Sequence, residues 1–150
     1  LYLICPFSSY ALRETEEGRK YPSMSEFNGY FLSDGFFMSM HMGACVESEK
    51  EMWFKSPLLW PICATKEDMA GLPPTSVIVG ELDMVRDMGL DLNLRLKEAG
   101  VEASLTVIGG GIHDQQLFTK HSPQVTNQSI HDLAAFAQYV AGDDNDNASF

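Results

Sequence analysis

The chain is poor in cysteine, in basic residues and in long apolar runs. Its three cysteines, Cys5, Cys45 and Cys63, are widely spaced and form no CxxC pair. An odd count at such spacing argues against a disulfide framework or a structural zinc site. Buried free thiols in a reducing compartment such as the cytoplasm are the plain reading. Lys and Arg number 10 against 21 Asp and Glu, a formal net charge of -11. Phosphate binding needs clustered bases, so nucleic acid is not expected as a partner. Docking on anionic lipid is excluded on the same ground. No apolar stretch approaches the roughly 18 residues of a membrane span, and no secretory signal is visible. No GxSxG and no HGG occurs anywhere.

What is present suffices for one folded domain. The 150 residues and 45% hydrophobic content are ordinary for a chain with its own core. Leu1 to Cys5 is apolar from its first residue and reads as a buried strand ended by Pro6. A buried strand needs neighbours on both sides, and nothing precedes this one. The chain therefore reads as the C-terminal portion of a longer protein, the alternative being a native N-terminal strand.

Residues 8–28 are polar and are expected to form a surface excursion, with a turn at Asn28-Gly29. Ser33 or Asp34 can cap a helix through Phe36, Phe37, Met40 and Met42. Its broad apolar face is either a core stripe or a soft wall for an acyl group. Residues 47–55 are charged and helical in pattern. Ser56-Pro57 and Trp60-Pro61 break regular structure.

A β-branched run, Thr75 to Gly80, has the character of a central parallel strand. A helix patterned on Leu90, Leu94 and Leu96 follows, closed by Gly100 in a left-handed cap. Ala103 to Ile108 is a further strand. A last helix over about 126–141 carries Ile130, Leu133, Ala134, Phe136, Ala137 and Val140 as its apolar face. Strands alternating with helices imply a mostly parallel sheet flanked by helices, an α/β fold. Residues 1–142 form one domain. Residues 143–150 are an acidic solvated tail, lacking the Gly and closing Glu of a calcium loop. With its first strand and helix faces unpaired, the chain is expected to aggregate when expressed alone.

Reactive groups in open parallel sheets gather at the carboxyl ends of the strands. Two such ends carry them here. Glu81-Leu82-Asp83 follows one strand, and Gly111-Ile112-His113 follows the next. A carboxylate beside an imidazole fixes its tautomer and stabilises the imidazolium formed during general-base catalysis. Other readings stand beside this one: Asp83 as a helix cap, His113 as a structural histidine. The run Gly109-Gly110-Gly111 lacks the spacing of a phosphate cradle. Ser8, Ser9, Ser33, Ser39 and Ser56 lack the strand–elbow–helix context of a nucleophile. His41, His121 and His131 sit in polar or helical surroundings.

The stretch Leu72 to Asp87 resembles a pattern of the hormone-sensitive-lipase-like esterases, a family with the α/β-hydrolase fold. Arg95 to Val101, followed by a strand and Gly111-Ile112-His113, resembles that family too. So do Asn28 to Leu32, Ser56 to Leu59, and Leu3 to Phe7, which is similar to the family's sixth strand. The resemblance covers nearly the whole chain. It implies the C-terminal part of an α/β-hydrolase fold, with Asp83 as triad acid and His113 as general base. It implies a small-molecule ester substrate and no cofactor or metal. Asp87 matches a position that supports the turn after the acid, or else is a charge at a helix N-terminus. Two positions depart from the pattern. Met84 stands where proline is usual, and Asp114 stands where glycine usually follows the histidine. A carboxylate there either faces the imidazole or points to solvent. The resemblance thus implies a serine carboxylic-ester hydrolase whose nucleophile is absent from these residues. The alternatives are a non-catalytic ligand receptor or pseudoenzyme on the same fold, or a related peptidase or deacetylase. The phenylalanines and methionines of 27–42 are expected near the acyl or alcohol side of the pocket.

Overall fold

The computed structural model describes residues 1–9, 16, 18–33, 35 and 56–142. The expected helix through Phe36 and Met42, the charged run 47–55 and the tail 143–150 lie outside the described residues, as does Cys45.

Three parallel strands form one sheet in the order β1 (Tyr2–Ile4), β2 (Thr75–Gly80), β3 (Ala103–Ile108). The two long strands have the limits their sequence predicts. Pro73 and Pro74 cannot extend the ladder backwards, and the β-branched run fits a pleat. β2 is the central strand, and Val77, Ile78 and Val79 are completely or almost completely buried. β1 differs from expectation. It pairs with β2 alone among the described residues, and Leu1 and Ile4 are exposed. An apolar strand paired on one side leaves its other edge open, whatever its composition.

Helices cover both faces. Helix α3 (Arg86–Glu98) packs against one of them. Its buried stripe is Met88, Leu92 and Leu96, with Gly89 and Asn93 beside it, while Leu90 and Leu94 are exposed. Leu96 of the expected stripe is thus buried, while Leu90 and Leu94 lie about half a turn away from Met88 and Leu92. Residues 88, 92 and 96 repeat every four positions and share a face. The face is fixed by Gly89, where a Cβ would lie 2.5 Å from Val79 Cγ1. Leu92 and Leu96 join Met69 and Val101 in one core cluster, with Leu3 and Ala103 packed against it. Met69 closes the short helix α2 (Lys66–Met69), which starts at a reciprocal cap between Thr65 and Asp68. Gly100 takes φ +79, as a left-handed cap requires.

Tyr2 neighbours Leu3 and so faces the other side of the sheet. There it meets Phe136 of helix α4 (Pro123–Ala141), ring centroids 6.0 Å apart. The helix begins earlier than expected because Pro123 suits a first helical position. Its expected apolar face is not buried: Ile130, Leu133 and Val140 are exposed, and Thr126 is the buried residue.

The excursion after β1 is also not a surface segment where it is described. Tyr21, Met24, Phe27 and Leu32 are buried with Met84, Val85 and Met88 in a second core cluster. Met24 lies in the short helix α1 (Ser23–Glu26), and Tyr21 and Phe27 flank it on the same cluster. The polar residues that suggested a surface run alternate with these anchors.

Candidate active site

The strands are parallel, so their carboxyl ends lie along one edge of the sheet. Three groups meet there. Cys5 follows β1, Asp83 lies in the turn after β2, and His113 lies in the loop after β3.

The last two loops are joined by main chain. Glu81 N donates to Ile108 O at 3.0 Å, and Leu82 N donates to Gly111 O at 2.8 Å. Glu81 Oε2 accepts from Gly110 N at 2.6 Å. Gly80 lies against the base loop so closely that a Cβ would sit 2.5 Å from Gly111 O and 2.7 Å from Ile112 O. Gly110, at φ +66, makes the bend.

Asp83 is 1% exposed and uses both carboxylate oxygens. Oδ1 accepts from Val85 N at 2.9 Å, which fixes the turn into α3. Oδ2 lies 2.9 Å from His113 Nδ1. Asp83 does not cap α3, whose N-cap residue is Val85 with no side-chain cap bond; one carboxylate oxygen holds the turn and the other meets the imidazole. With the ring proton on Nδ1, the nitrogen donates to Asp83, and the lone pair of Nε2 is directed away. The His113 side chain is 16% exposed, sheltered yet reachable.

Asp114 does not point to solvent. Its Oδ2 lies 3.3 Å from His113 Nε2. Only a ring carrying both protons donates at both nitrogens. Asp114 takes φ +54, and Cys5 takes φ +41. These are the two non-glycine residues with positive φ among those described, and they touch: Asp114 N donates to Cys5 Sγ at 3.4 Å. Strained backbone of this kind gathers at functional sites. Burial pushes the Cys5 thiol up to about 12, the Asp114 N–H opposes this, and the Asp83 and Asp114 carboxylates add to the rise.

Asp87 is more than a helix-terminal charge. Its Oδ2 accepts from Ser23 N at 2.8 Å, and its own N–H donates to Ser23 Oγ at 3.2 Å. Ser23 Oγ donates in turn to Met84 O at 3.0 Å. Arg86 stands over the Phe27 ring at 5.1 Å and donates to Glu81 O at 3.0 Å. The excursion is thereby pinned to the turn that carries Asp83. Met84, at the position where the resembled family usually has proline, is buried in the same cluster.

A cavity of about 430 Å³ is lined by Phe31, Ile112, Gln115, Phe118, His121 and Ser122. Ile112 directly precedes His113, and Phe31 meets Phe118 edge to face at 5.3 Å. Of the aromatics expected near the pocket, Phe31 lines this cavity and Phe27 is core. His121 and His131 are exposed, as expected. Sequence reasoning passed over Cys5 and Ser23. The position of Cys5 at a parallel strand's carboxyl end was the available signal.

A family profile described as the alpha/beta hydrolase fold matches residues 1–117. The chain belongs to this family. Among solved structures, this alpha/beta hydrolase is similar to brefeldin A esterase, described as a bacterial homologue of human hormone sensitive lipase. The TM-score is 0.82 at 31% identity, over 93% of this chain and 39% of that one. It is similar to esterase Est22 with a TM-score of 0.73 at 31% identity, over 92% of this chain and 38% of that one. In sequence it is 32% identical over 98 residues to an arylesterase of Saccharolobus solfataricus, covering 65% of this chain and 31% of that protein. It is 37% identical over 59 residues to neutral cholesterol ester hydrolase 1 of Bos taurus, covering 39% of this chain and 14% of that protein. Within the family, the chain falls with the hormone-sensitive-lipase-like esterases. It spans well under half the length of these relatives.

Proposed function

We propose that Asp83 and His113 are the acid and base of a Ser-His-Asp triad that hydrolyses a carboxylic ester, with the serine outside these 150 residues. The observation that carries the reading is the 2.9 Å contact between a buried Asp83 carboxylate and His113 Nδ1 at the carboxyl ends of neighbouring parallel strands. His113 Nε2 takes the serine proton as Oγ attacks the ester carbonyl, and then delivers it to the leaving alcohol. Water then attacks the acyl carbon as it gives a proton to Nε2, which returns that proton to serine Oγ as the acyl–Oγ bond breaks and the acid leaves. Asp83 holds the ring tautomer and stabilises the imidazolium in both half-reactions. Backbone amides elsewhere in the protein hold the oxyanion. The alcohol or acyl part of a small ester fits the Phe31–Phe118 cavity.

The second reading, a non-catalytic receptor or pseudoenzyme, is favoured by one observation. Asp114 lies on Nε2, the nitrogen that must receive the proton. The coding sequence upstream of Leu1 separates the two. A GxSxG strand–elbow–helix there supports the esterase, and a replaced serine supports the receptor. The protein extended to include that sequence is then assayed with a short-chain nitrophenyl ester. His113→Ala is expected to lower kcat by about 10⁶-fold and Asp83→Asn by about 10⁴-fold. Full activity in either variant would sink the proposal. So would enzymatic hydrolysis by residues 1–150 alone that is lost in His113→Ala, since no GxSxG occurs in them.

A further inference from the structure

We propose that Cys5, His113 and Asp114 form a binding site for a borderline divalent transition metal such as Zn²⁺. One donor atom from each of the three lies within 4.8 Å of the other two. The set is a thiol, an imidazole and a carboxylate. Such mixed S, N and O donors suit Zn²⁺, Co²⁺ or Cu²⁺ rather than Mg²⁺ or Ca²⁺.

The argument begins with a conflict in the site. With its proton on Nδ1 and donated to Asp83, a neutral ring turns the lone pair of Nε2 toward Asp114 Oδ2 at 3.3 Å. Two acceptors at that distance repel. A cation between them removes the conflict. A proton is one such cation, and a divalent metal is another. Bond lengths of roughly 2.0–2.2 Å at a tetrahedral angle separate N and O ligands by about 3.4 Å. The observed Nε2–Oδ2 separation therefore needs almost no adjustment.

The surroundings are also those of a metal site. A ligating histidine commonly donates its other ring N–H to a carboxylate, which fixes the tautomer and raises ligand basicity. Asp83 occupies that place. Cys5 Sγ accepts from Asp114 N at 3.4 Å and faces Gln116 Nε2 at 3.9 Å, donors that favour a thiolate. Gln116 is 4% exposed, and its Oε1 has no hydrogen-bond partner among the described residues. That leaves a buried oxygen acceptor on the residue touching the sulfur. Binding converts the Cys5 thiol to thiolate, and its proton leaves to the buffer. Coordinating thiols are deprotonated outright even where the free thiol is a weak acid.

The binding claim is independent of the esterase reading. One corollary rests on that reading: a lone pair given to a metal cannot accept the serine proton, so the metal inhibits.

The test is a Co²⁺ titration of the protein, read by absorption. Stoichiometric binding with an intense thiolate-to-cobalt charge-transfer band is expected. Cys5→Ser should abolish that band. Asp114→Asn should weaken binding at least tenfold. Asp83→Asn should weaken it by about 10–100-fold, as loss of an outer-shell carboxylate does. Circular dichroism checks that each variant is folded, and loss of the band on adding excess Zn²⁺ to the wild type gives a readout that needs no variant. Absence of a sulfur band at millimolar Co²⁺ overturns the proposal. So does a spectrum that Cys5→Ser leaves unchanged, or one lost only on deleting the acidic residues 143–147. Zn²⁺ binding with the sulfur band but without inhibition of an active extended protein would keep the metal site and count against His113 as the base.

Discussion

Asp114 Oδ2 lies 3.3 Å from His113 Nε2, the ring nitrogen that Asp83 does not hold. One imidazole thus stands between two carboxylates that differ in kind. Asp83 is buried and anchored to the turn after β2. Asp114 sits on left-handed backbone, its side chain 32% exposed.

The left-handed backbone of Asp114 separates two replacements. Asp114→Gly takes φ +54 without a Cβ conflict, whereas Asp114→Ala keeps the conflict and has no polar side chain to offset it. The glycine variant should be more stable than the alanine variant by about 1 kcal/mol in urea melts, even though glycine loosens the unfolded chain. Equal stabilities would show that the strain is absent.

Ser23 and Asp87 exchange two hydrogen bonds across 64 residues of sequence. Ser23→Ala strands the Asp87 N–H and removes the link to Met84 O, at a cost of about 1–3 kcal/mol. Asp87→Ala removes the other bond, the one its carboxylate accepts from Ser23 N, and should also cost about 1–3 kcal/mol. Unchanged denaturant melts in both variants would mean that the excursion is not pinned through this pair.

Gly89→Ala should reverse the usual helix preference. In an exposed helix the change stabilises by about 1 kcal/mol. Here the new Cβ would lie 2.5 Å from Val79 Cγ1, and overpacking costs about 1–3 kcal/mol. Val79→Ala in the same chain makes room, so the pair should be less harmful than the sum of the singles. A neutral or stabilising Gly89→Ala would refute the packing.

The Cys5 thiol, pushed up to about 12, should resist alkylation at pH 8 while half-buried Cys63 reacts, as peptide mapping by mass spectrometry would show. An unfolded thiol ionises near 9.0. The folded state resists that ionisation, so its stabilising effect is intact below about pH 9 and is lost as pH rises from there toward 12. Urea midpoints should therefore fall more steeply over that range in the wild type than in Cys5→Ser. Parallel slopes would contradict the burial.

Much of this could be read in the chain. Both long strands lie where β-branched runs meet Pro73-Pro74 and glycine, because those signals are local. Asp83 and His113 follow from them, since parallel strands align their ends. The face of α3 was misread because Leu90 and Leu94 are as apolar as Leu92, and the contact that chooses between them is Gly89 on Val79, ten residues away. Met24 and Phe27 were hidden among polar neighbours, and their partner Met88 lies over 60 positions along. Cys5 stands 109 positions from Asp114. No local pattern announces a contact of that span.

Gly80 leaves room for no methyl against the Gly111 and Ile112 carbonyls, so the gap between acid and base is gauged by main chain on main chain. A methyl at position 80 would have to part the two loops, and with them the Asp83 carboxylate and the His113 ring, whatever side chains stood elsewhere in either loop.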